Sequence, residues 1–308
     1  MILTVTLNTA LDLTYRVPAL TPHASHRVTH VLERPGGKGV NVARVLGALG
    51  HDTVVTGFAG GPNGAVLRTL LARCPVRDAL VPIGGNTRRT LAVVDDTTGD
   101  TTQLNEPGPT VTPEEWSAFL HRYGELLPAA EAVALCGSLP PGIHVGAYAE
   151  LIRTARGAGV PVLLDTSGEP LRRGIAARPD IVKPNAEELA QLTGAREPER
   201  AARDARRRGA HAVVASLGAD GLLAVTASGL WQAPPPATVK GNPTGAGDSA
   251  VAGLLSALVD RLPWPDRLSR AVALSTATVL SPTAGEFERE TYERLLPQVA
   301  VQTQAPAA

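Results

Sequence analysis

The chain has 308 residues, 29 basic and 29 acidic side chains for a formal net charge of zero, and only 3% aromatics. That length suits one large domain with a small appendage, and the balanced charge and scarce rings argue against a nucleic-acid binder, which wants a basic face and stacking platforms. Two cysteines, Cys74 and Cys136, make no disulfide framework, read as small buried apolar residues and suit a reducing cytoplasm, and no run of about 18 apolar residues is present to cross a membrane.

The N-terminus reads as a strand and not as a signal peptide. Ile2 to Leu7 is a near-continuous apolar run of the kind found in a sheet covered on both faces. Asn8-Thr9-Ala10-Leu11-Asp12 follows it. Leu13 to Val17 and Arg27 to Val31 then alternate polar and apolar residues, as half-exposed strands do. A glycine cluster, Pro35-Gly36-Gly37-Lys38-Gly39-Val40-Asn41, leads into helical spacing that stops at Gly50. It is not a Walker loop, because Gly39 stands where Ser or Thr is needed, nor a dinucleotide fingerprint. It lets backbone approach a polyhydroxyl ligand, with Asn41 as donor and acceptor and Lys38 as cation.

Arg88 to Val94 and Thr101 to Asn105 alternate again around the turn Asp96 to Asp100, so four exposed strands from two segments can form one small sheet. Thr112-Pro113-Glu114-Glu115 is a capping box with proline at the first helical position. Ala132 to Cys136, Val160 to Leu164, Asp180 to Val182 and Ala212 to Ala215 are short apolar strands separated by helical stretches. That alternation predicts a parallel sheet with helices on both faces and ligands at the carboxyl ends of its strands. Asn8 to Asp12, Gly137-Ser138, Asp165-Thr166, Lys183 to Asn185 and Ser216 to Gly218 fall at those ends.

The most informative segment is Asn242-Pro243-Thr244-Gly245-Ala246-Gly247-Asp248-Ser249, ahead of an apolar helical run, Ala250 to Val259. Two glycines at a helix start leave unpaired N–H groups and a partial positive charge, an anion site. Asp248 beside such a cradle would repel the anion unless it takes a proton from a group attacking it. An anion hole plus a base points to phosphoryl transfer to a hydroxyl. The alternative is a glycine-rich turn with aspartate as a helix cap. The stretch Arg203 to Arg208 reads as a solvated helix face, and the histidines show no metal-ligand spacing. Gln302 to Ala308 reads as a disordered tail.

Gly36-Gly37-Lys38-Gly39-Val40-Asn41 and Thr244-Gly245-Ala246-Gly247-Asp248 together resemble the two signature regions of the PfkB family, the ribokinase-like carbohydrate kinases. Between them Gly137 to Gly142, Asp165 to Glu169, Val182 to Glu188 and Ser216 to Gly221 fall in the family's order, so the resemblance covers nearly the whole chain. Thr6 to Asp12 and Asn105 to Gly108 resemble the sub-group acting on hexose phosphates, which includes 1-phosphofructokinase and tagatose-6-phosphate kinase.

The resemblance implies a three-layer α/β/α domain with a mostly parallel central sheet plus a small β-sheet lid. The core would take residues 1–12, 35–85 and 106–300, the lid 13–34 and 86–105, and the disordered tail 301–308. It implies ATP as phosphoryl donor and Asp248 as general base, with Gly245, Ala246 and Gly247 offering amides to the moving phosphoryl group. Asp12, Gly37, Lys38, Asn41, Arg88 and Ser138 would hold the acceptor. Lys183, Asn185, Ser216, Gly218, Gly221 and Thr244 would meet the nucleotide's phosphates and ribose, with adenine among aliphatic groups near 239–241 and 276–285. Asn185 and Glu188 would organise Mg²⁺ through water.

The first acceptor by resemblance is fructose 1-phosphate, giving fructose 1,6-bisphosphate. Tagatose 6-phosphate and fructose 6-phosphate are the alternatives. Thr90 and Ala92 stand where the sub-group commonly carries Asn and Lys, which leaves a free sugar or nucleoside open; Arg89, Lys38 and Arg27 are the cations that could compensate. A non-catalytic sugar-phosphate-binding regulator is the reading from another class. The resemblance further implies a cytoplasmic enzyme and a homodimer joined through the lid.

Overall fold

The structure, a computed structural model, describes residues 1–236, 239, 241–281 and 286–304. β1 (Ile2–Thr6) lies inside the main sheet, and its side chains alternate between two cores: Ile2 faces one, Leu3 and Val5 the other. β2 (Ala10–Val17) and β3 (His30–Gly36) leave the main sheet and pair antiparallel with each other. The chain returns through α1 (Lys38–Ala48), which ends with Gly50 at φ 96°, then β4 (Thr53–Gly60), parallel to β1. α2 (Gly61–Leu71), the short β5 (Arg77–Asp78) and β6 (Val81–Ile83) complete this edge. β7 (Arg88–Asp95) and β8 (Thr101–Asn105) then rejoin β2, giving a separate four-stranded sheet of order β3-β2-β7-β8.

From there helix and strand alternate. α3 (Pro113–Leu126) starts on the expected capping box, Thr112 with Glu115. β9 (Ala132–Cys136), α4 (Ala147–Gly157), β10 (Val162–Asp165), α5 (Gly168–Ala176) and β11 (Ile181–Val182) extend the sheet in parallel. α6 (Ala186–Thr193) and α7 (Pro198–Arg207) precede β12 (Ala212–Ser216). β13 (Leu222–Val225) and β14 (Leu230–Ala233) fold back antiparallel. α8 (Ala246–Val259), α9 (Trp264–Val279) and α10 (Arg289–Leu295) close the second face, and β15 (Gln302–Gln304) pairs with β14.

The main sheet runs β15-β14-β13-β12-β11-β10-β9-β1-β4-β5, with β6 on β4. One face carries the core that includes Phe119, Tyr148 and Leu171 from α3, α4 and α5; the other packs Val45, Leu254 and Leu274 from α1, α8 and α9. This is the expected three-layer α/β/α architecture with a small second sheet. Cys136 is buried as expected, Cys74 only half so, and both are free thiols.

Four expectations change. The small sheet reaches into the flanks assigned to the core, since β2 begins at Ala10 and β3 runs to Gly36, where Gly-rich backbone still pairs. The Arg27 to Val31 strand begins only at His30. The helix after the second glycine cluster starts at Ala246, not Ala250, because Gly245 takes the left-handed conformation (φ 84°) that admits the turn. The tail is not wholly disordered, for Gln302–Gln304 satisfies the edge of β14; residues 305–308 lie outside the described residues.

Candidate active site

Every sequence-predicted site residue lines one of two adjoining clefts, which share Asn185, Ser216, Pro243 and Gly247. The larger, about 780 Å³, lies between the carboxyl ends of the main strands and the small sheet, and takes all the acceptor candidates with Asp248. The second, about 550 Å³, is lined by Gly218, Gly221, Ala246 and aliphatic groups such as Val239, Val272 and Val279. The expected adenine surround therefore has walls at 239, 241, 276 and 279, while residues 240 and 282–285 lie outside the described residues.

The centre is built on α8. Gly245 caps that helix without a side-chain bond, so Asp248 is not the cap but a first-turn residue. Its carboxylate Oδ2 accepts a hydrogen bond from Asn41 Nδ2 at 2.9 Å, which joins the two glycine loops. Burial pushes the Asp248 carboxyl up to about 6; nearby Asp165 adds to this, while Lys38, Asn41 and Lys183 oppose it. A carboxyl poised there can accept a proton near neutral pH. One expectation is narrowed: the Ala246 amide already donates to Pro243 O at 3.1 Å, closing the turn. The Gly247 amide has no backbone partner among the described residues.

Sequence reasoning placed Asp165 at a strand end but gave it no role. The structure sets its nearly dry carboxylate, 2% exposed, between two ammonium groups: Lys38 Nζ and Lys183 Nζ, each at 3.5 Å. Asp165 is the chief reason the Lys38 ammonium is held well above its usual range. Lys183 Nζ stands 3.6 Å from where a Cβ on Gly247 would lie, so one cation overlooks the start of α8. The signal was available, a carboxylate closing a buried parallel strand, but only the fold shows which lysines it meets.

At the acceptor end Asp12 and Arg88 face the cleft from β2 and β7. Burial pushes the Asp12 carboxyl up to about 6, against the pull of a Thr90 hydrogen bond and the charges of Arg88 and Arg44. Arg88 donates from Nε to the Asn8 carbonyl at 3.2 Å and from Nη1 to Thr90 Oγ1 and Glu106 O, both at 3.4 Å. Its Nη2 has no partner among the described residues. Ser138 is exposed in the cleft and accepts from Asn8 Nδ2 at 3.1 Å. Ala92 and Thr90 line a small adjoining hollow together with Arg34. Of the three compensating cations only Lys38 lines the cleft; Arg89 is paired with Glu106 on the surface, and Arg27 is exposed outside it. Arg34, which sequence reasoning missed, faces the hollow from β3 and is held by Glu286.

Asn185 and Glu188 bond reciprocally: Glu188 N donates to Asn185 Oδ1 at 2.8 Å, and Asn185 N to Glu188 Oε2 at 2.9 Å. This fixes both at the start of α6, facing the cleft, and occupies one Glu188 oxygen. Among the described residues no group of three or more His, Cys, Asp or Glu could hold a metal by itself. One carboxylate with an oxygen left over beside this cleft fits a Mg²⁺ that keeps most of its waters.

The sequence pattern of the pfkB family of carbohydrate kinases matches residues 4–291. A 1-phosphofructokinase from Rhodobacter capsulatus is 41% identical over 296 residues, covering 94% of each chain. Phosphofructokinase-2 from Escherichia coli, solved with fructose-6-phosphate and as a tetrameric inhibited form, is 30% identical with a TM-score of 0.87, over 96% of this chain and 98% of that one. A carbohydrate kinase from Agrobacterium tumefaciens, 21% identical over 98% and 99% of the two chains with a TM-score of 0.79, shares the fold.

Proposed function

The chain belongs to the pfkB family of carbohydrate kinases, and on that premise we propose that it transfers the γ-phosphoryl group of ATP to a hydroxyl of a ketohexose phosphate, with fructose 1-phosphate as the first acceptor and fructose 1,6-bisphosphate as product. The observation that carries this reading is one cleft holding a buried, Asn41-bound carboxylate at the start of α8 together with Arg88, Ser138 and Asp12 across from it. The likeness to the Rhodobacter capsulatus 1-phosphofructokinase supports the choice of acceptor.

In the reaction the acceptor hydroxyl oxygen forms a bond to the γ-phosphorus as the bond to the bridging oxygen breaks, and its proton passes to Asp248. A positioned base of this kind contributes about 10²–10⁴-fold. The Gly247 amide, the start of α8, Lys38 and Lys183 stabilise charge on the moving group, where catalysis is chiefly positioning and electrostatics. Gly245 shapes the turn and Ala246 closes it. Asp12, Gly37 and Asn41 hold sugar hydroxyls, and Arg88 with Ser138 grips the acceptor's phosphate. Lys183, Asn185, Ser216, Gly218, Gly221 and Thr244 line the donor's phosphates and ribose. Mg²⁺, held through water by Glu188 and Asn185, would neutralise donor phosphate charge.

We further read the protein as a homodimer joined through the small sheet. ADP release measured across fructose 1-phosphate, fructose 6-phosphate, tagatose 6-phosphate, free fructose and nucleosides tests the function. Fructose 1-phosphate should have the highest kcat/KM, and a preference for an unphosphorylated acceptor overturns the reading.

A further inference from the structure

Asn8 is buried against Ser138 and Arg88, the two groups that the proposed function assigns to the acceptor's phosphate, and against Pro107. Its Nδ2 donates to Pro107 O at 3.0 Å and to Ser138 Oγ at 3.1 Å, and its backbone carbonyl accepts from Arg88 Nε at 3.2 Å. A carbonyl oxygen can only accept, so the Pro107 contact fixes which end of the amide is the donor. Both amide hydrogens are then committed, one to Pro107 and one to Ser138. The Ser138 oxygen has therefore accepted a bond, and its own proton must point elsewhere. Ser138 is exposed in the cleft, beside Arg88.

We propose that Asn8 is a positioning residue for the acceptor's phosphate: its amide occupies one lone pair of Ser138 Oγ and so keeps the hydroxyl proton available for donation into the cleft, while its backbone carbonyl aims the Arg88 guanidinium at the same point. An unconstrained serine hydroxyl can face an anion with either its lone pairs or its proton. Asn8 fills one of the two lone pairs and turns the proton away from itself, which biases the hydroxyl toward donating before the ligand arrives and lowers the ordering cost of binding. The effect is confined to the sugar-phosphate end, since Asn8 lines the larger cleft and not the one lined by Gly218 and Gly221.

This inference rests on the proposed sugar-phosphate specificity, and kinetics separate the two. In the full-length enzyme, Asn8→Ala and Ser138→Ala should each raise the KM for the preferred sugar phosphate by about ten-fold, the effect of one hydrogen bond to a charged group. In Asn8→Ala the KM for ATP and kcat should stay within about two-fold. The double variant should show no more than the larger single effect, because Asn8 acts through Ser138. Asn8→Asp keeps the shape but presents an anionic acceptor that both turns the Ser138 proton back and repels the phosphate; this variant should raise the KM further than Asn8→Ala, which simple loss of packing would not do. Multiplying effects in the double variant, or an unchanged KM in Asn8→Ala, overturn the inference and leave the kinase reading intact. A wild type that prefers an unphosphorylated acceptor removes both.

Discussion

Asp248 shows what a single side chain must reconcile. It has to be buried to work in a dry site, yet burial penalises the anion that accepts the proton. Asn41, Lys38 and Lys183 recover part of that penalty, leaving the carboxyl at about 6. Asp248→Asn keeps size and the place for Asn41 but removes the base, so turnover should fall by at least about 10²-fold with substrate KM values nearly unchanged. Near-wild-type turnover in this variant would end its assignment as base. The same group predicts a stability effect of known sign. Its folded pKa, about 6, lies above the ordinary value of 3.8, so the folded state holds the proton more tightly. The stability this gives is complete below about pH 4 and is lost as pH rises through about 6. Asp248→Asn should therefore raise the melting temperature at pH 7–8, by the equivalent of roughly 3 kcal/mol at most, with the gain vanishing near pH 4. Thermal melts of both proteins across pH check this. For activity the sign is reversed: Asp12 and Asp248 must both be ionised, so kcat/KM should climb as pH rises through about 6. A profile flat down to about pH 5 would contradict both roles.

Between elements, the close pairing of β2 and β3 sets the acceptor end. Asp12 and Gly36 are near neighbours across this ladder, and a Cβ on Gly36 would fall 2.0 Å from Asp12 Cγ. The Asp12 carboxylate occupies the space that glycine leaves. Gly36→Ala should expel Asp12 from the cleft and raise the sugar-phosphate KM by about 10–100-fold while sparing the KM for ATP. Steady-state kinetics of the folded variant test this, and an unchanged sugar-phosphate KM would show that Asp12 does not hold the acceptor. The glycine cluster itself was legible, because its composition departs from its surroundings and the helix after it keeps apolar spacing. The β2 and β3 limits were not, since glycine and proline signal turns and only the cross-strand partner shows that Pro35 and Gly36 still pair. The start of α8 was missed by four residues because Ala246 to Ser249 lack apolar periodicity; the turn at Gly245 opens the helix there, and Asp248 and Ser249 are tied to Asn41 of α1 and Thr278 of α9. Asp165 belongs to the same class, being visible as a residue but not as the partner of Lys38 and Lys183.

For the whole molecule, the small sheet has its polarity reversed relative to an ordinary surface sheet. The register places Asp12, Arg34 and Thr90 on one face, and that face lines the cleft side. The alternate residues form the opposite face, turned from the core, where Leu13, Tyr15, Val31, Leu91, Val93 and Leu104 outnumber the polar Glu33, Arg89 and Thr102. Val31 is 52% exposed and Leu104 58%. An apolar face with free edges at β3 and β8 is costly in water and invites a partner. A second copy of the same sheet would supply one with matching chemistry, through a two-fold contact that buries both faces at once. Sedimentation at micromolar concentration should therefore show a dimer, and Leu91→Glu, which places a charge on β7 between β2 and β8, should shift it to monomer. The strands it loosens also carry Asp12 and Arg88, so the monomer should bind sugar phosphate more weakly while ATP binding persists. A wild type that sediments as a monomer with and without substrate removes the dimer. A Leu91→Glu monomer with unchanged sugar-phosphate KM keeps the dimer but shows that the lid holds its acceptor groups without a partner's support.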